Sequence, residues 1–375
     1  MAIYWIISYT ILIFCLFELA AINQLQEVKI KRVVTYFFFV ATIILICFGG
    51  MRGPGSGLDN EQYLGFFQNF SAQLSMDDYG TLAKIYRYES FFTLLAGILA
   101  VFTRESYFFL LLICIIAVAT NAWCYKKYAP LILCSLCLYS THLFINKDMN
   151  QVRFGLSSAF TVAAILLAQD RKWAWAIVAM VLATQSHSTA YALILLIPFL
   201  FIRERKYLPL LMIFVSIPLG LVGGKKLFLD TLGIASLVGD RVSGYEGTVF
   251  DQASPVFGLA NLKNIAFIGF FTVVYWGKRQ VEPEDRLPYI LLIAYAIGAA
   301  VRITFADFSI LGGRVGNLFL HTEPLLLAFL MMRIRNLLFN TVLLFGMASY
   351  YLAYNTILSV QSIEGYSLAP IFRLF

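Results

Sequence analysis

Arg52 lies in a glycine-rich stretch that directly follows an apolar block. Residues 50–59 read GMRGPGSGLD, and four of residues 50–57 are glycine. Glycine permits backbone geometries closed to other residues, so successive amides of such a stretch can point at an anion. No Gly-Lys-Ser/Thr follows, which argues against a nucleotide P-loop. We expect an anion-binding loop that includes Arg52, the alternative being a flexible loop with an interfacial arginine.

Arg153 follows a polar cluster and lies in the first turn of a predicted helix. Residues 146–156 read NKDMNQVRFGL, and an apolar run continues from there. Helix N-termini favour anions, and a guanidinium group forks onto phosphate oxygens. The segment therefore predicts a phosphate site. The alternative is a snorkelling arginine paired with Asp148.

His187 lies in a polar turn, QSHSTA at residues 185–190, between two apolar blocks. The chain has three histidines, and an imidazole accepts a proton near neutral pH. We consider His187 a candidate base, with a structural hydrogen bond to a neighbouring helix as an equal alternative. His142 follows an apolar run and is interpreted as structural.

A further polar group lies in the C-terminal half of the chain. Its members are Arg241, Tyr245 and Glu246 in a long loop, and Arg302, Arg314, Asn317, His321 and Glu323 near a later apolar block. Positions 314, 317 and 321 fall on one face of a helix, and that face could line a cavity. For His321 and Glu323 the alternative is an internal polar network between helices.

The elements that must position these residues are membrane helices. Of the 375 residues, 60% are hydrophobic and 13% are charged. In soluble domains about half of the residues are hydrophobic and about a quarter are charged. Cytosolic enzymes, nucleic-acid-binding proteins and secreted disulfide scaffolds are thereby excluded. The six cysteines lie in or beside apolar blocks and are expected to be unpaired small hydrophobes. The spacing of Cys134 and Cys137 is not expected to mark a redox or metal site.

About twelve apolar blocks approach the ~20 residues that a membrane-crossing helix needs. They are residues 3–22, 33–50, 106–123, 131–145, 152–168, 173–185, 189–202, 208–222, 256–276, 287–301, 315–332 and 337–354. Several are short, which suggests tilted or broken helices packed in a bundle. The predicted fold class is all-α: a polytopic integral membrane helical bundle that forms a single transmembrane domain over residues 1–375, with outer loops at 51–87 and 223–255.

Basic residues cluster in alternate loops. The clusters are Lys29, Lys31 and Arg32; Lys126 and Lys127; Arg171 and Lys172; Arg203, Arg205 and Lys206; Lys278 and Arg279; and Arg333 and Arg335. Loops rich in lysine and arginine stay in the cytoplasm, so the net charge of +7 is assigned to orientation and not to nucleic acid. Both termini, the Arg52 loop and the His187 turn are then expected outside. This parity requires residues 91–102 to enter and leave on one side.

Four short stretches stand out against the apolar background. They are GMR at residues 50–52 with GLD at 57–59 and Tyr63, YESFF at 88–92, QVRFGLS at 151–157, and SHSTA at 186–190. Together they resemble the landmarks of the EpsG and Wzy-type bacterial polysaccharide polymerases. The resemblance covers about the first 200 residues, and beyond them it rests on hydropathy and Arg314. Ser90 stands where the family commonly has proline, and Ser157 where alanine is expected.

The resemblance implies a metal-independent membrane glycosyltransferase with a GT-C-like architecture. Such an enzyme moves a growing glycan from one undecaprenyl diphosphate onto the terminal sugar of a fresh lipid-linked repeat unit. The reaction takes place at the outer face of the bacterial inner membrane, and its product is O-antigen, capsule or exopolysaccharide. The implied partners are undecaprenyl-diphosphate-linked glycans, the lipid bilayer, a flippase and a chain-length regulator.

This reaction assigns roles to the residues, because a leaving diphosphate needs cations and an acceptor hydroxyl needs a base. The predicted diphosphate contacts are Arg52, Arg153 and Arg314. The predicted base is His187, with Asp59 second. The predicted sugar contacts are Tyr63, Tyr245 and Arg241. No metal or other cofactor is expected, since no Asp-x-Asp pair occurs in an outer loop and a lipid diphosphate held by arginines does not need a divalent ion.

Two other classes remain open. A secondary transporter or lipid flippase also has charged residues and broken helices in the membrane, but here the charges gather at one surface and no internal repeat is evident. An O-antigen ligase or acyltransferase of similar size would use outer arginines and a histidine as well, and it differs in its acceptor.

Overall fold

The computed structural model describes residues 2–231, 253–277, 279–358 and 365–373, and their regular structure is helical apart from one isolated β-bridge between Arg52 and Leu368. Helices satisfy their backbone hydrogen bonds internally, which the bilayer interior requires. The helices are α1 Ala2–Ala20, α2 Val28–Gly50, α3 Asn60–Gln73, α4 Tyr79–Tyr86, α5 Ser90–Phe102, α6 Ser106–Tyr128, α7 Ile132–Leu138, α8 Val152–Gln169, α9 Trp173–Ser186, α10 Leu208–Val222, α11 Leu259–Tyr275, α12 Arg286–Thr304, α13 Ser309–Leu320, α14 Glu323–Ile334 and α15 Leu337–Ala353. A π-helix, Tyr139–Asn150, continues α7, and a 3₁₀ helix, Ser188–Leu200, follows α9.

The predicted all-α polytopic membrane bundle is confirmed, and the helices differ in length more than the sequence suggested. Within the described residues, six helices are long and apolar enough to cross a membrane, or seven if the pair α13 and α14, bent by 45°, counts as one span. Five other apolar helices have 10–17 residues. A 13-residue helix is ~20 Å long, shorter than the ~30 Å apolar layer. Hydropathy finds such helices but does not show that each crosses alone.

The chain divides into two compact units. Unit 1 comprises Met1–Ala164, Ala174–Ser188 and Leu327–Phe375, and unit 2 comprises Ile165–Trp173 and Thr189–Leu326. Most of the predicted outer loop 223–255 lies outside the described residues.

In unit 1, α2 and α6 pack antiparallel. A Cβ on Gly50, at the end of α2, would lie 2.5 Å from Leu111 near the start of α6, while Lys126 near the end of α6 donates to Thr35 Oγ1 at 2.6 Å. Residues 51–105 therefore begin and end at the same end of unit 1, which we call the Arg52 end. The apolar helix α5 lies within this segment, and that residues 91–102 enter and leave the membrane on one side stays a prediction.

An aromatic cluster holds α3 and α5 against α6 at the Arg52 end. The Phe66 ring stacks on Phe92 at a centroid distance of 5.7 Å, Phe67 stacks on Phe109 at 5.1 Å, and Phe92 meets Phe109 edge-on at 5.1 Å. All of these rings are buried. Such pairs contribute ~0.5–1.5 kcal/mol each beyond the area that they bury, so this cluster gives the loop helices a fixed position.

At the opposite end of unit 1, the Glu18 end, a carboxylate of α1 caps α7. Glu18 accepts hydrogen bonds from the backbone N–H groups of Ile132, Leu133 and Cys134 at 2.8–2.9 Å. The first N–H groups of a helix have no partner within it, and the helix dipole favours an anion there. Cys15 Sγ lies 3.0 Å from Cys134 Sγ. All six cysteines are free, as predicted, although Cys47 is exposed.

In unit 2, two glycines allow α12 and α13 to cross closely. A Cβ on Gly298 would lie 2.6 Å from the carbonyl oxygen of Gly316, and a Cβ on Gly316 would lie 2.8 Å from the carbonyl oxygen of Gly298. Small residues at such crossings are typical of packed membrane helices.

We expect Gly316→Ala to lower the melting temperature of the protein in detergent, because the new methyl group meets both the Gly298 carbonyl and Arg302. Overpacking of this kind costs ~1–3 kcal/mol. Gly313→Ala is the matched control, since it lies on the same helix and a Cβ there has nothing within 4 Å. Equal melting temperatures for the two variants would show that α12 and α13 do not pack as described.

Candidate active site

The Arg52 loop is held by the C-terminal segment of the chain. The Gly53 N–H donates to the Ser367 carbonyl at 2.7 Å, and the Ala369 N–H donates to the Met51 carbonyl at 2.9 Å. The Tyr366 ring stacks on Phe48 at a centroid distance of 4.4 Å. Residues far apart in the chain thus fix the backbone on both sides of Arg52.

The Arg52 side chain is fully buried. Its Nε donates to Asn60 Oδ1 at 2.9 Å, and its Nη1 donates to the Gly49 carbonyl. Its Nη2 has no hydrogen-bond partner among the described residues. Burial lowers the pKa of the guanidinium from its usual value, and the nearby Asp148 offsets part of that change. In this conformation Arg52 braces its loop and does not reach a ligand in solvent.

The end of the π-helix Tyr139–Asn150 contacts the same loop. Asn150 Oδ1 accepts from the Leu58 N–H at 3.1 Å, and a Cβ on Gly57 would lie 2.3 Å from the Met149 carbonyl oxygen. Gly57 is therefore required by close approach of two backbones, not by flexibility. Long π-helical stretches are rare and often occur at functional sites.

Arg153 lies in the first turn of α8, as predicted, but its partner is Glu89 and not Asp148. Arg153 Nη1 lies 2.5 Å from Glu89 Oε2, and Arg153 Nε donates to the Tyr63 hydroxyl at 3.4 Å. The guanidinium also lies over the Tyr88 ring, 4.6 Å from its centroid. The Arg153 side chain keeps 20% of its surface exposed. Arg153 is thus held by three neighbours, and part of its side-chain surface stays accessible.

Asp148 has other contacts. Its Oδ2 accepts from the Tyr139 hydroxyl at 2.8 Å, and Gly155 packs so closely that a Cβ there would lie 2.6 Å from Asp148 Oδ1. The alternative of a snorkelling Arg153 paired with Asp148 is therefore wrong. The turn at Gln151 separates the two side chains although only four residues lie between them.

Tyr63, predicted as a sugar contact, is 3% exposed. Its ring packs on Phe92 at 5.6 Å, and its hydroxyl faces Arg153. Burial raises the pKa of the Tyr63 hydroxyl, and the Arg153 guanidinium offsets part of that rise. In this structure Tyr63 positions Arg153 and does not present a ring face to a sugar.

His187 follows α9 and is half-buried at the Arg52 end. Its ring meets the Phe154 ring edge-on at 5.5 Å. The next residue, Ser188, donates its N–H to Glu89 Oε1 at 3.4 Å. Ser157 Oγ donates to the Ala183 carbonyl at 2.9 Å, which holds α9 against α8. His187 and Arg153 are thereby placed on either side of one carboxylate.

Glu89 is the residue of this site that the sequence did not single out. Its side chain is 8% exposed. Burial raises the pKa of Glu89, but the Arg153 guanidinium and His187 lower it by more, so that the net pKa lies below its usual value. The signal that could have found it is the YESFF stretch at residues 88–92, in which a carboxylate stands just before an apolar run.

Asp59, the second candidate base, occupies the N-cap position of α3 and is half-buried. It is electrostatically coupled to Tyr63, one turn further along.

His142 has the structural role expected of it, since its ring stacks on Tyr351 at 4.3 Å.

The remaining candidates lie in unit 2 or outside the described residues. Arg314 is half-buried in α13, and on the same helix Asn317 accepts from Arg302 Nη1 at 2.9 Å. Glu323 accepts from Lys263 Nζ at 2.7 Å and from the Tyr295 hydroxyl at 3.2 Å, which is the internal polar network given as the alternative. The predicted sugar contacts outside the described residues are Arg241 and Tyr245.

The site and fold together define a multi-pass, all-helical membrane protein with a fixed arginine, a carboxylate and a histidine at one end of a unit. The chain belongs to the EpsG family, whose model matches residues 35–370. It is 65% identical over 375 residues to the amylovoran biosynthesis protein AmsC of Erwinia amylovora, and the match covers all of both chains. No solved structure matches the chain.

We expect Arg52→Ala to lower the melting temperature markedly, because it leaves the Gly49 carbonyl and Asn60 without their buried donor. Each unsatisfied buried group costs ~1–3 kcal/mol. Arg52→Lys should also be destabilising, since one ammonium group cannot reproduce both bonds. Arg104→Ala is the control at an exposed position just before α6. Thermal unfolding in detergent measures all three, and an unchanged transition for Arg52→Ala would remove the bracing role.

Proposed function

We propose that this protein is a polysaccharide polymerase: a membrane glycosyltransferase that joins repeat units carried on undecaprenyl diphosphate. Membership of the EpsG family supports the proposal, as does the 65% identical relative, whose name assigns it to amylovoran biosynthesis. The observation that carries it is the setting of Arg153. A guanidinium that is held by Tyr63 and Glu89, partly exposed and located in the first turn of a helix is suited to a phosphate group.

In the proposed reaction the acceptor hydroxyl oxygen attacks the anomeric carbon of the donor glycan. The bond from that carbon to the diphosphate oxygen breaks, and its electron pair leaves with the lipid diphosphate. Arg153 stabilises the charge that develops there, an effect worth ~2.7–4 kcal/mol for a well-placed donor. His187 takes the proton of the hydroxyl as general base. Arginine thereby fills the role that a divalent cation has for other diphosphates, so the proposed enzyme is metal-independent.

The other predicted diphosphate contacts enter the proposal differently. Arg314 lies in unit 2 and stays a predicted diphosphate contact. Arg52 is fully buried and hydrogen-bonded within its loop, so we assign it a structural role in stabilising that loop. Asp59 stays as the second candidate for the base.

The proposed active site faces the outside of the bacterial inner membrane. Lys29, Lys31 and Arg32 begin α2, and Lys126 and Lys127 end α6, which places these basic residues at the Glu18 end of unit 1. Basic loops stay in the cytoplasm. Arg153 and His187 lie at the opposite end, where a lipid-linked glycan on the outer leaflet is accessible.

This orientation predicts the accessibility of introduced cysteines. In a Cys47→Ser background, Ser75→Cys, which is exposed in the segment between α2 and α6, should react with a membrane-impermeant maleimide in spheroplasts. Gln24→Cys, exposed in the turn between α1 and α2, should react only after the membrane is permeabilised. The reverse pattern would place the site in the cytoplasm and overturn the proposed localisation.

We expect the purified protein in liposomes to lengthen a lipid-linked oligosaccharide without energy input, and Arg153→Ala and His187→Ala to abolish that extension. Removal of one transition-state donor lowers kcat by ~10²–10³-fold. Arg153→Lys should remain impaired because an ammonium group lacks the planar fork. Product length on a gel is the measurement.

The same assay decides between the competing classes. A lipid-linked substrate that changes leaflet without lengthening would indicate a transporter or flippase. Transfer to a different acceptor with no lengthening would indicate a ligase. Normal product length with both Arg153→Ala and His187→Ala would remove these residues from the active site. Arg104→Ala is again the control for handling and reconstitution.

A further inference from the structure

Glu89 occupies the N-cap position of α5, where a glutamate would ordinarily serve its own helix. Its backbone is extended there, with φ −64° and ψ 147°, yet its side chain accepts no hydrogen bond from the first turn of α5. Glu105 occupies the equivalent position before α6, and its side chain does cap, accepting from the Tyr107 N–H at 3.4 Å. Two glutamates in matched positions thus behave differently.

The Glu89 carboxylate points instead at two other elements. Oε2 meets the Arg153 guanidinium of α8, and Oε1 accepts from the Ser188 N–H that directly follows His187. The carboxylate gives up capping its own helix and spans the gap between the predicted diphosphate contact and the predicted base. The carboxylate also interacts electrostatically with His187.

The charge of Glu89 is suited to this location. A carboxylate that is 8% exposed is costly unless it is paired and hydrogen-bonded, and here Arg153 and the Ser188 N–H meet both conditions. When His187 accepts a proton, the resulting imidazolium gains an anionic neighbour. Carboxylates that orient a catalytic histidine act in this way in unrelated enzymes.

We propose that Glu89 is the positioning residue of the active site, holding the Arg153 guanidinium with one carboxylate oxygen and the His187 turn with the other. This inference rests on the proposed polymerase function for its catalytic consequence. Its geometric content, that one carboxylate sets the positions of Arg153 and His187, does not. Glu89 touches neither substrate in this role and acts through the two residues beside it.

The experiment compares Glu89→Gln, Glu89→Asp and the matched control Glu105→Gln in the liposome extension assay, with kcat, KM and melting temperature recorded for each. Glu89→Gln keeps the shape and can still accept from Ser188, but it loses the charge. We expect its kcat to fall ~100-fold or more, as when a histidine loses its orienting carboxylate, with little change in KM. The melting temperature should fall moderately, because Arg153 loses its anionic partner. Glu89→Asp, which keeps the charge on a shorter arm, should recover part of kcat. Glu105→Gln should match the wild type.

Three outcomes would overturn the proposal. They are a Glu89→Gln enzyme with wild-type kcat, a loss confined to KM, and a loss of activity fully explained by a lower melting temperature. The last would mean that the Arg153–Glu89 pair only ties α5 to α8.

A second measurement keeps the positioning claim separate from the polymerase claim. If neither the wild type nor Glu105→Gln extends a glycan, the proposed function fails, and the labelling rates of Arg153 with phenylglyoxal and of His187 with diethyl pyrocarbonate still test Glu89. We expect both residues to be modified faster in Glu89→Gln, as read by mass spectrometry. Rates equal to those of the wild type would overturn the inference whatever the activity.

Discussion

The architecture of the Arg52 end depends on the cost of placing charge beside apolar helices. A charged side chain at membrane depth costs at least ~2.5–3.5 kcal/mol, so Arg153 must be compensated where it stands. Tyr63 from α3, Glu89 from the start of α5, and the face of the Tyr88 ring provide that compensation. Because Tyr63 belongs to α3 while Tyr88 and Glu89 directly precede α5, one guanidinium links these two parts of the segment between α2 and α6.

Arg52 meets the same constraint in another way. It has no carboxylate partner among the described hydrogen bonds and ion pairs, and it is compensated by the Gly49 carbonyl and Asn60. The C-terminal segment completes the enclosure, since Ser367 and Ala369 pair with the backbone on either side of Arg52. The two ends of the chain therefore meet here: the Tyr4 hydroxyl near the N-terminus also donates to the Gly365 carbonyl at 3.2 Å. The buried Arg52 shapes this end of the unit, and the partly exposed Arg153 is the one that we propose for chemistry.

The sequence was enough to predict the helices and the place of Arg153 at a helix start, which depend on local pattern. It was not enough to predict side-chain partners and burial, which depend on contacts between residues far apart in the chain. Apolar blocks predicted the helical membrane bundle, and the polar-to-apolar change at residue 152 placed Arg153 in a first helical turn. Its partner could not be predicted, because Glu89 lies 64 residues away whereas Asp148 is near in sequence and chemically equivalent. The burial of Arg52 depends on residues more than 300 positions further along the chain. Charge type and spacing do not encode such pairings; packing of the aromatic cluster and the C-terminal segment does.

The division of charge between the two ends of unit 1 bears on why these arginines are present at all. The basic residues of α2 and α6 lie at the Glu18 end, where the positive-inside rule accounts for them without further function. Arg52 and Arg153 lie at the other end, where that rule gives them no advantage and where each needs partners to be tolerated. An arginine at this end is not favoured by the positive-inside rule, and it loses hydration when it is buried. It must therefore be stabilised by groups in the folded protein or in a ligand. For Arg52 the folded protein supplies nearly all of that stabilisation. Arg153 has three partners of its own and still keeps 20% of its side-chain surface exposed. That accessible part is the physical basis for proposing an anionic substrate.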